Sequence, residues 1–299
     1  MSAVMILNFS GCRSADTAGK TAMDMSATGT RNNEAVVLTP EASGREIRST
    51  DTVILDISNT DNGYFMMKYT GNAEKAKMQV TTPENITYTY TIHDKYDTFP
   101  LTGGNGTYHV TAYEEVKNDM YSTILSEDFD AEIKDKFSPW LYPNQYVDFT
   151  KDSAATALGE KLAKPCSTDI EVVTNIYDYC FENIKYDNKK AKEVESGYLP
   201  DVDEILRTGK GICFDYSAVM AAMLRTQRIP TRMEIGYVGK DYHAWISVYL
   251  KESGWVNGII EFDGKSWKIM DPTMAASKSE RQLKSFIGDG SGYITKYIY

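Results

Sequence analysis

Between Asp51 and about Ile133 apolar and polar positions alternate in short runs, the period-two pattern of strands with one buried face. Val53–Ile57, Tyr64–Tyr69, Ala76–Val80, Ile86–Ile92, Gly106–Tyr113 and Tyr121–Leu125 are the predicted strands. Asn-Gly, Gly-Asn, Gly-Gly and proline-bearing turns punctuate them at short intervals. That spacing predicts a small antiparallel β-sandwich of the immunoglobulin-like kind over residues 51–145. Residues 13–50 are rich in Ala, Ser, Thr, Gly and Asn without a sustained apolar period, and read as a flexible linker.

From about Thr150 the period lengthens to that of helices. Ala154–Ala163 is a short candidate, and Thr168-Asp169-Ile170-Glu171 has the form of a capping box opening a helix that runs to Ile184. Val202–Arg207 is a third helix, stopped by Gly209. Tyr216, Val219, Met220, Met223 and Leu224 then recur at helical spacing between Asp215 and Gln227, with Pro230 just past the end. Strands follow at Thr231–Tyr237, Asp241–Tyr249, around Trp255–Phe262 and at Ser266–Met270, with an Asp263-Gly264 hairpin turn before the last. The whole reads as an α+β protein, sheets first and a second domain over residues 150–299.

A chain of 299 residues is long enough for two domains, and 42% hydrophobic with 25% charged residues is ordinary for a globular protein. A net charge of −10 disfavours nucleic acid and anionic membrane surfaces as partners. No run of eighteen apolar residues occurs. Residues 1–12 carry a short apolar stretch, Ala3 to Leu7, ending in Phe9-Ser10-Gly11-Cys12. That ending resembles a bacterial lipobox, although no Lys or Arg precedes the stretch and the stretch is short. It implies lipidation at Cys12 and an extracellular, surface-anchored protein.

The four cysteines, Cys12, Cys166, Cys180 and Cys213, do not form a disulfide framework. Cys166 and Cys180 fall at the start and near the end of one helix, too far apart to bond. Cys180 shares the apolar stripe of Val173, Ile176 and Tyr177. His93 and His109 are isolated, no ligand-spaced cluster occurs, and neither a metal nor a cofactor is expected.

Cys213 differs from the other cysteines in its surroundings. Gly209-Lys210-Gly211-Ile212 delivers it to the mouth of an amphipathic helix, where free backbone N–H groups and the positive helix end favour a thiolate. His243 stands 30 residues later in an alternating strand, and Asp271 ends the strand Ser266–Met270. Neighbouring strands of one sheet would bring His243 and Asp271 together, the carboxylate orienting the imidazole and the imidazole activating the thiol. Asp215, two residues past the cysteine, would oppose a thiolate if it faced the sulfur, and is expected to point outward near the helix end. Tyr186 is a candidate oxyanion donor beside the Cys213 N–H, and Trp245 a candidate wall of the cleft.

The three elements Gly211-Ile212-Cys213, His243-Ala244-Trp245 and Asp271-Pro272-Thr273 resemble, in this order, the transglutaminase-like superfamily with its papain-like fold. The resemblance spans roughly residues 165–275 and departs through a longer His-to-Asp interval around Lys251–Ile260. It implies Cys213, His243 and Asp271 as a catalytic triad that transfers acyl groups from amide bonds of peptides or proteins through a thioester. Water as acceptor makes a peptidase or amidase, the outcome favoured here because nothing points to calcium sites or an amine-donor pocket. An amine as acceptor makes a cross-linking transglutaminase. From a different class, a catalytically silent cell-surface binding module fits the sandwich and the tyrosine-rich composition.

Overall fold

The computed structural model describes residues 28–195, 197–251, 253–257, 260–262, 267–269 and 293–299. In its first half eight strands form two antiparallel sheets. One has the order β1 (Ile47–Ser49), β2 (Val53–Asp56), β3 (Tyr64–Tyr69), β6 (Asp97–Pro100); the other runs β5 (Thr87–Thr91), β4 (Ala76–Thr81), β7 (Gly106–Lys117), β8 (Met120–Ala131). Alternation decides the faces. In Thr87-Tyr88-Thr89-Tyr90-Thr91 both tyrosines are buried and the threonines flank them toward the outside. Rings from the two sheets meet: Phe65 of β3 packs edge-on to Phe129 of β8 at 5.5 Å, and Tyr90 of β5 lies 4.9 Å from Phe99 of β6. Two short strands, β1 and β6, were not expected from the sequence. Each borrows its order from the partner strand beside it rather than from a strong alternating pattern of its own.

The second half is built around one helix. After α1 (Ala154–Ala163) and α2 (Asp169–Asn183) come β9 (Lys185–Tyr186), α3 (Lys190–Glu193), α4 (Val202–Thr208) and β10 (Lys210–Gly211). The central helix α5 (Cys213–Thr226) follows, and all of its residues except Phe214 are buried. The predicted capping box of α2 is present: the Thr168 hydroxyl accepts from the Glu171 N–H, and Glu171 accepts from Thr168. Gly209 closes α4 in the left-handed region at φ +60°.

A four-stranded antiparallel sheet of order β13 (Gly254–Asn257), β12 (Asp241–Leu250), β11 (Thr231–Val238), β16 (Tyr293–Ile298) covers α5. Ala244, Ile246, Val248 and Leu250 face the core, whereas His243, Trp245 and Ser247 occupy the other face of β12 by strand alternation. The strand expected over Trp255–Phe262 is divided between β13 and β14 (Ile260–Phe262), and β14 pairs with β15 (Trp267–Ile269) in a separate two-stranded sheet.

The stretch read as linker behaves differently from residue 28 onward. Gly29 donates to the Lys164 carbonyl and Val36 to that of Thr226, Ala35 donates to Glu160, and Arg31 pairs with Asp169 at 2.6 Å. A composition poor in apolar residues suggested slack; polar groups of α1, α2 and α5 instead supply partners for its backbone. The two halves share a continuous core, sealed by Tyr88, Tyr90, Tyr146, Tyr297 and Tyr299. Among the described residues no helix is long and apolar enough to cross a membrane.

Candidate active site

Cys213 is the first residue of α5, two residues earlier than apolar spacing alone placed the helix start. Its N-terminal neighbour Ile212 has no side-chain oxygen with which to cap. Asp215, the third residue of the helix, reaches back and accepts from the Ile212 N–H at 2.8 Å, satisfying one of the free donors of the first turn. The sequence-based expectation that Asp215 points outward is therefore corrected: its residue exposure is zero. Its carboxylate turns inward because donors wait there, Lys190 Nζ at 2.6 Å and the Tyr198 hydroxyl at 2.7 Å. Lys190 also donates to Tyr198 Oη at 2.6 Å and lies over that ring at 4.3 Å. Burial, then the hydrogen bond to Asp215, pushes the Tyr198 phenol far above its ordinary range, so it stays a donor. Gly211 is what lets Asp215 fold back. A Cβ at residue 211 would stand 2.6 Å from Asp215 Cβ.

The nucleophile turn is also gripped from the other side. β9 runs parallel to β10 with Tyr186 in register with Gly211, and the Asp187 N–H donates to the Gly211 carbonyl at 2.9 Å. Tyr186, the candidate oxyanion donor, is thus held beside Gly211, the residue two places before the cysteine, and is half-buried against the core. Asp187 in turn accepts from the N–H groups of Lys189 and Lys190, so one short segment from the end of β9 to the start of α3 carries both the lysine that neutralises Asp215 and the tyrosine beside the turn.

β12 meets α5 at its N-terminal end. Tyr242, immediately before His243, packs on Phe214, immediately after Cys213, with ring centroids 6.4 Å apart. The structure therefore brings together the chain neighbours of the two candidate residues. His243 is buried, and its ring lies roughly parallel to that of Trp245 at 6.5 Å. Trp245, expected to wall the cleft, is instead interior: it is 2% exposed and packs edge-on to Tyr293 at 5.0 Å. The reason is β16, an element not expected from the sequence, whose Tyr293 closes over that face of the sheet.

Asp271 lies outside the described residues. His243 itself pairs with Gly236 of β11 on one edge of β12, whereas on the other edge β13 pairs only with Ser247–Leu250. Cys12 also lies outside the described residues. His93, just after β5, bonds Asp97 of β6 at 2.7 Å, and His109 of β7 bonds its cross-strand partner Asp128 of β8 at 2.5 Å.

The sequence reading missed Lys190 and Tyr198 altogether, and with them the role of Asp215. The available signal was an acidic residue three places after a position that cannot cap its own helix. It also missed Glu234, buried on the His243 face, which accepts from Ser247 at 2.5 Å and Thr295 at 2.7 Å.

Cys166 and Cys180 are free and buried, with no disulfide between them. Burial pushes the Cys166 thiol up to about 11 and the Cys180 thiol further. Iodoacetamide at pH 8 on the folded chain is therefore expected to leave both unmodified while Cys213 is alkylated, read by peptide mass mapping. Equal labelling of the three would contradict this ordering.

Residues 156–258, which include Cys213, His243, Tyr186 and Trp245, match the family model of the transglutaminase-like superfamily. The chain carries a transglutaminase-like domain. It is 29% identical over 138 residues to UPF0252 protein MJ1282 of Methanocaldococcus jannaschii, covering 40% of this chain and 39% of that protein. It is 25% identical over 139 residues to the uncharacterized protein YebA of Bacillus subtilis, covering 36% of this chain and 19% of that protein. The chain thus spans well under half the length of these curated relatives. Among solved structures it is similar to a candidate cysteine protease from Cytophaga hutchinsonii, at 14% identity over 79% of this chain and 83% of that one, TM-score 0.40. Red sea bream transglutaminase is similar at 11% identity over 78% and 50% of the two chains, TM-score 0.28.

Proposed function

We propose that this chain is a cysteine-dependent acyl-transfer enzyme acting on amide bonds of peptides or proteins, with hydrolysis as its outcome. The carrying observation is Cys213 at the first turn of α5, with its neighbour Phe214 against Tyr242, the residue before His243. The sulfur attacks the carbonyl carbon, and the tetrahedral oxyanion is met by the Cys213 N–H and the Tyr186 hydroxyl. His243 takes the thiol proton and returns it to the departing amine as the C–N bond breaks; water then opens the thioester through the same imidazole. Asp271 orients His243 in this scheme. The N-terminal sheets are read as an immunoglobulin-like sandwich: beyond β1, the order β2-β3-β6 against β5-β4-β7-β8 supports it. Lipidation of Cys12 would hold the enzyme at the outer surface of the cell.

The test is iodoacetamide alkylation of Cys213 as a function of pH, in the wild type and in His243→Ala. The expected result is fast alkylation at pH 6, where a free thiol is almost wholly protonated, lost about tenfold or more in His243→Ala. Slow and equal rates in both proteins would defeat the acyl-transfer reading and favour a binding module.

A further inference from the structure

We infer that the acyl side of the substrate carries a bulky apolar or aromatic side chain beside the reacting carbonyl, received by a shelf of exposed rings next to Cys213. This rests on the proposed acyl-transfer reading. Three large apolar side chains that the fold leaves in water stand in one row across the sheet: Tyr242 at 53%, Tyr237 at 39% and Ile294 at 55% exposure. They are cross-strand partners, Tyr237 opposite Tyr242 and Ile294 opposite Tyr237, so their side chains share a face. The two tyrosine rings meet edge-to-face at 5.5 Å.

That face is the one α5 covers further along, and the row begins where the helix stops. Phe214, the single residue of α5 that is not buried, packs on Tyr242 and joins the row to the nucleophile. A run of exposed apolar groups on a sheet face is normally covered by something. Here it extends from a candidate nucleophile, and its occupant is the part of the substrate that the nucleophile holds. Three adjacent strands at about 4.8 Å spacing make a shelf about 10 Å across. It accommodates one aromatic side chain, or two aliphatic ones alternating about 7 Å apart on an extended peptide.

The experiment compares second-order alkylation rates of Cys213 by the chloromethyl ketones of N-acetylated Phe, Leu, Gly or Asp, which carry the side chain on the acyl side of the warhead, with iodoacetamide as the sizeless reference. Phe and Leu reagents are expected to react about tenfold faster than Gly and Asp reagents once each is normalised to its rate with free cysteine. Tyr237→Ser and, separately, Ile294→Asp are expected to erase most of that preference while leaving the iodoacetamide rate unchanged. Both positions are exposed enough for the variants to fold. A flat side-chain profile in a wild type that passes the pH test of the acyl-transfer reading would overturn the shelf and leave that reading standing. A preference that survives both substitutions, or a change of oligomeric state in sedimentation as their only effect, would likewise overturn it, the latter pointing to a second copy as the occupant. Failure of the pH test itself would remove the reading on which the shelf depends.

Discussion

Asp215→Ala is expected to destabilise the fold by about 3–5 kcal/mol and to slow alkylation of Cys213 at least tenfold. The substitution strands three donors at once: the Ile212 N–H, the Tyr198 hydroxyl and the Lys190 ammonium. Breaking a buried ion pair by removing one partner costs about 3–5 kcal/mol because the other charge stays behind. Lys190 retains 29% side-chain exposure and recovers part of its hydration, so the lower end of that range is the better guide. Reactivity suffers more than stability suggests, because Asp215 fixes the residue before the nucleophile and Gly211 is packed to its Cβ. Asp215→Asn keeps an acceptor for the Ile212 N–H, and should retain more reactivity than the alanine variant at a similar loss of stability. Thermal melts beside alkylation rates decide the matter. If Asp215→Ala melts within 2 °C of wild type with unchanged alkylation, the buried network does not organise the turn.

Arg225→Leu carries the second large effect, loss of about 3–5 kcal/mol, seen as a melting temperature lower by about 10 °C for a chain of this size. Arg225 is 1% exposed and its guanidinium donates only to backbone carbonyls: Thr231 from Nε at 3.1 Å and Nη2 at 2.9 Å, Tyr142 from Nη1 at 2.7 Å, and Tyr299 from Nη2 at 2.9 Å. It thereby ties α5, β11, the chain ahead of α1 and the strand end at Tyr299 into one body. Burial lowers its pKa from the ordinary arginine range to about 9. The unfolded chain binds the proton more tightly, so this group's contribution rises as pH climbs above about 9, and at neutral pH holding the charge is a cost. The carbonyl bonds offset that cost, and leucine removes it too. The loss predicted for Arg225→Leu is what remains when three buried carbonyls lose their donor, at about 1–3 kcal/mol each. A melting temperature within 2 °C of wild type would mean that those carbonyls find other partners.

Much of this fold was legible in local pattern. Ala154–Ala163 is a helix with the bounds its spacing predicts, Tyr64–Tyr69 is a strand with its predicted bounds, and Thr168 and Glu171 make the box their spacing promises. These succeed because periodicity, capping and turn chemistry act over a few residues and need no distant partner. The site was legible only in part. The glycine turn and the helix behind Cys213 follow from local spacing, yet the direction of Asp215 does not. A carboxylate near a helix end is stable outward in water or inward on a lysine, and the lysine comes from the start of α3, 25 residues earlier.

The sequence by itself determined an α+β chain with alternating strands first, helices next, and a cysteine at the start of an amphipathic helix beside a strand bearing His243. Only the tertiary structure decided that residues from 28 onward strap the second half, that β16 joins the sheet and buries Trp245, and that a Lys190–Asp215–Tyr198 network anchors the nucleophile turn. The division has one physical cause. Hydrophobic period and capping are properties of a short window, whereas an inward-facing charge, a sheet edge and a strapped segment take their stability from partners far away in the chain.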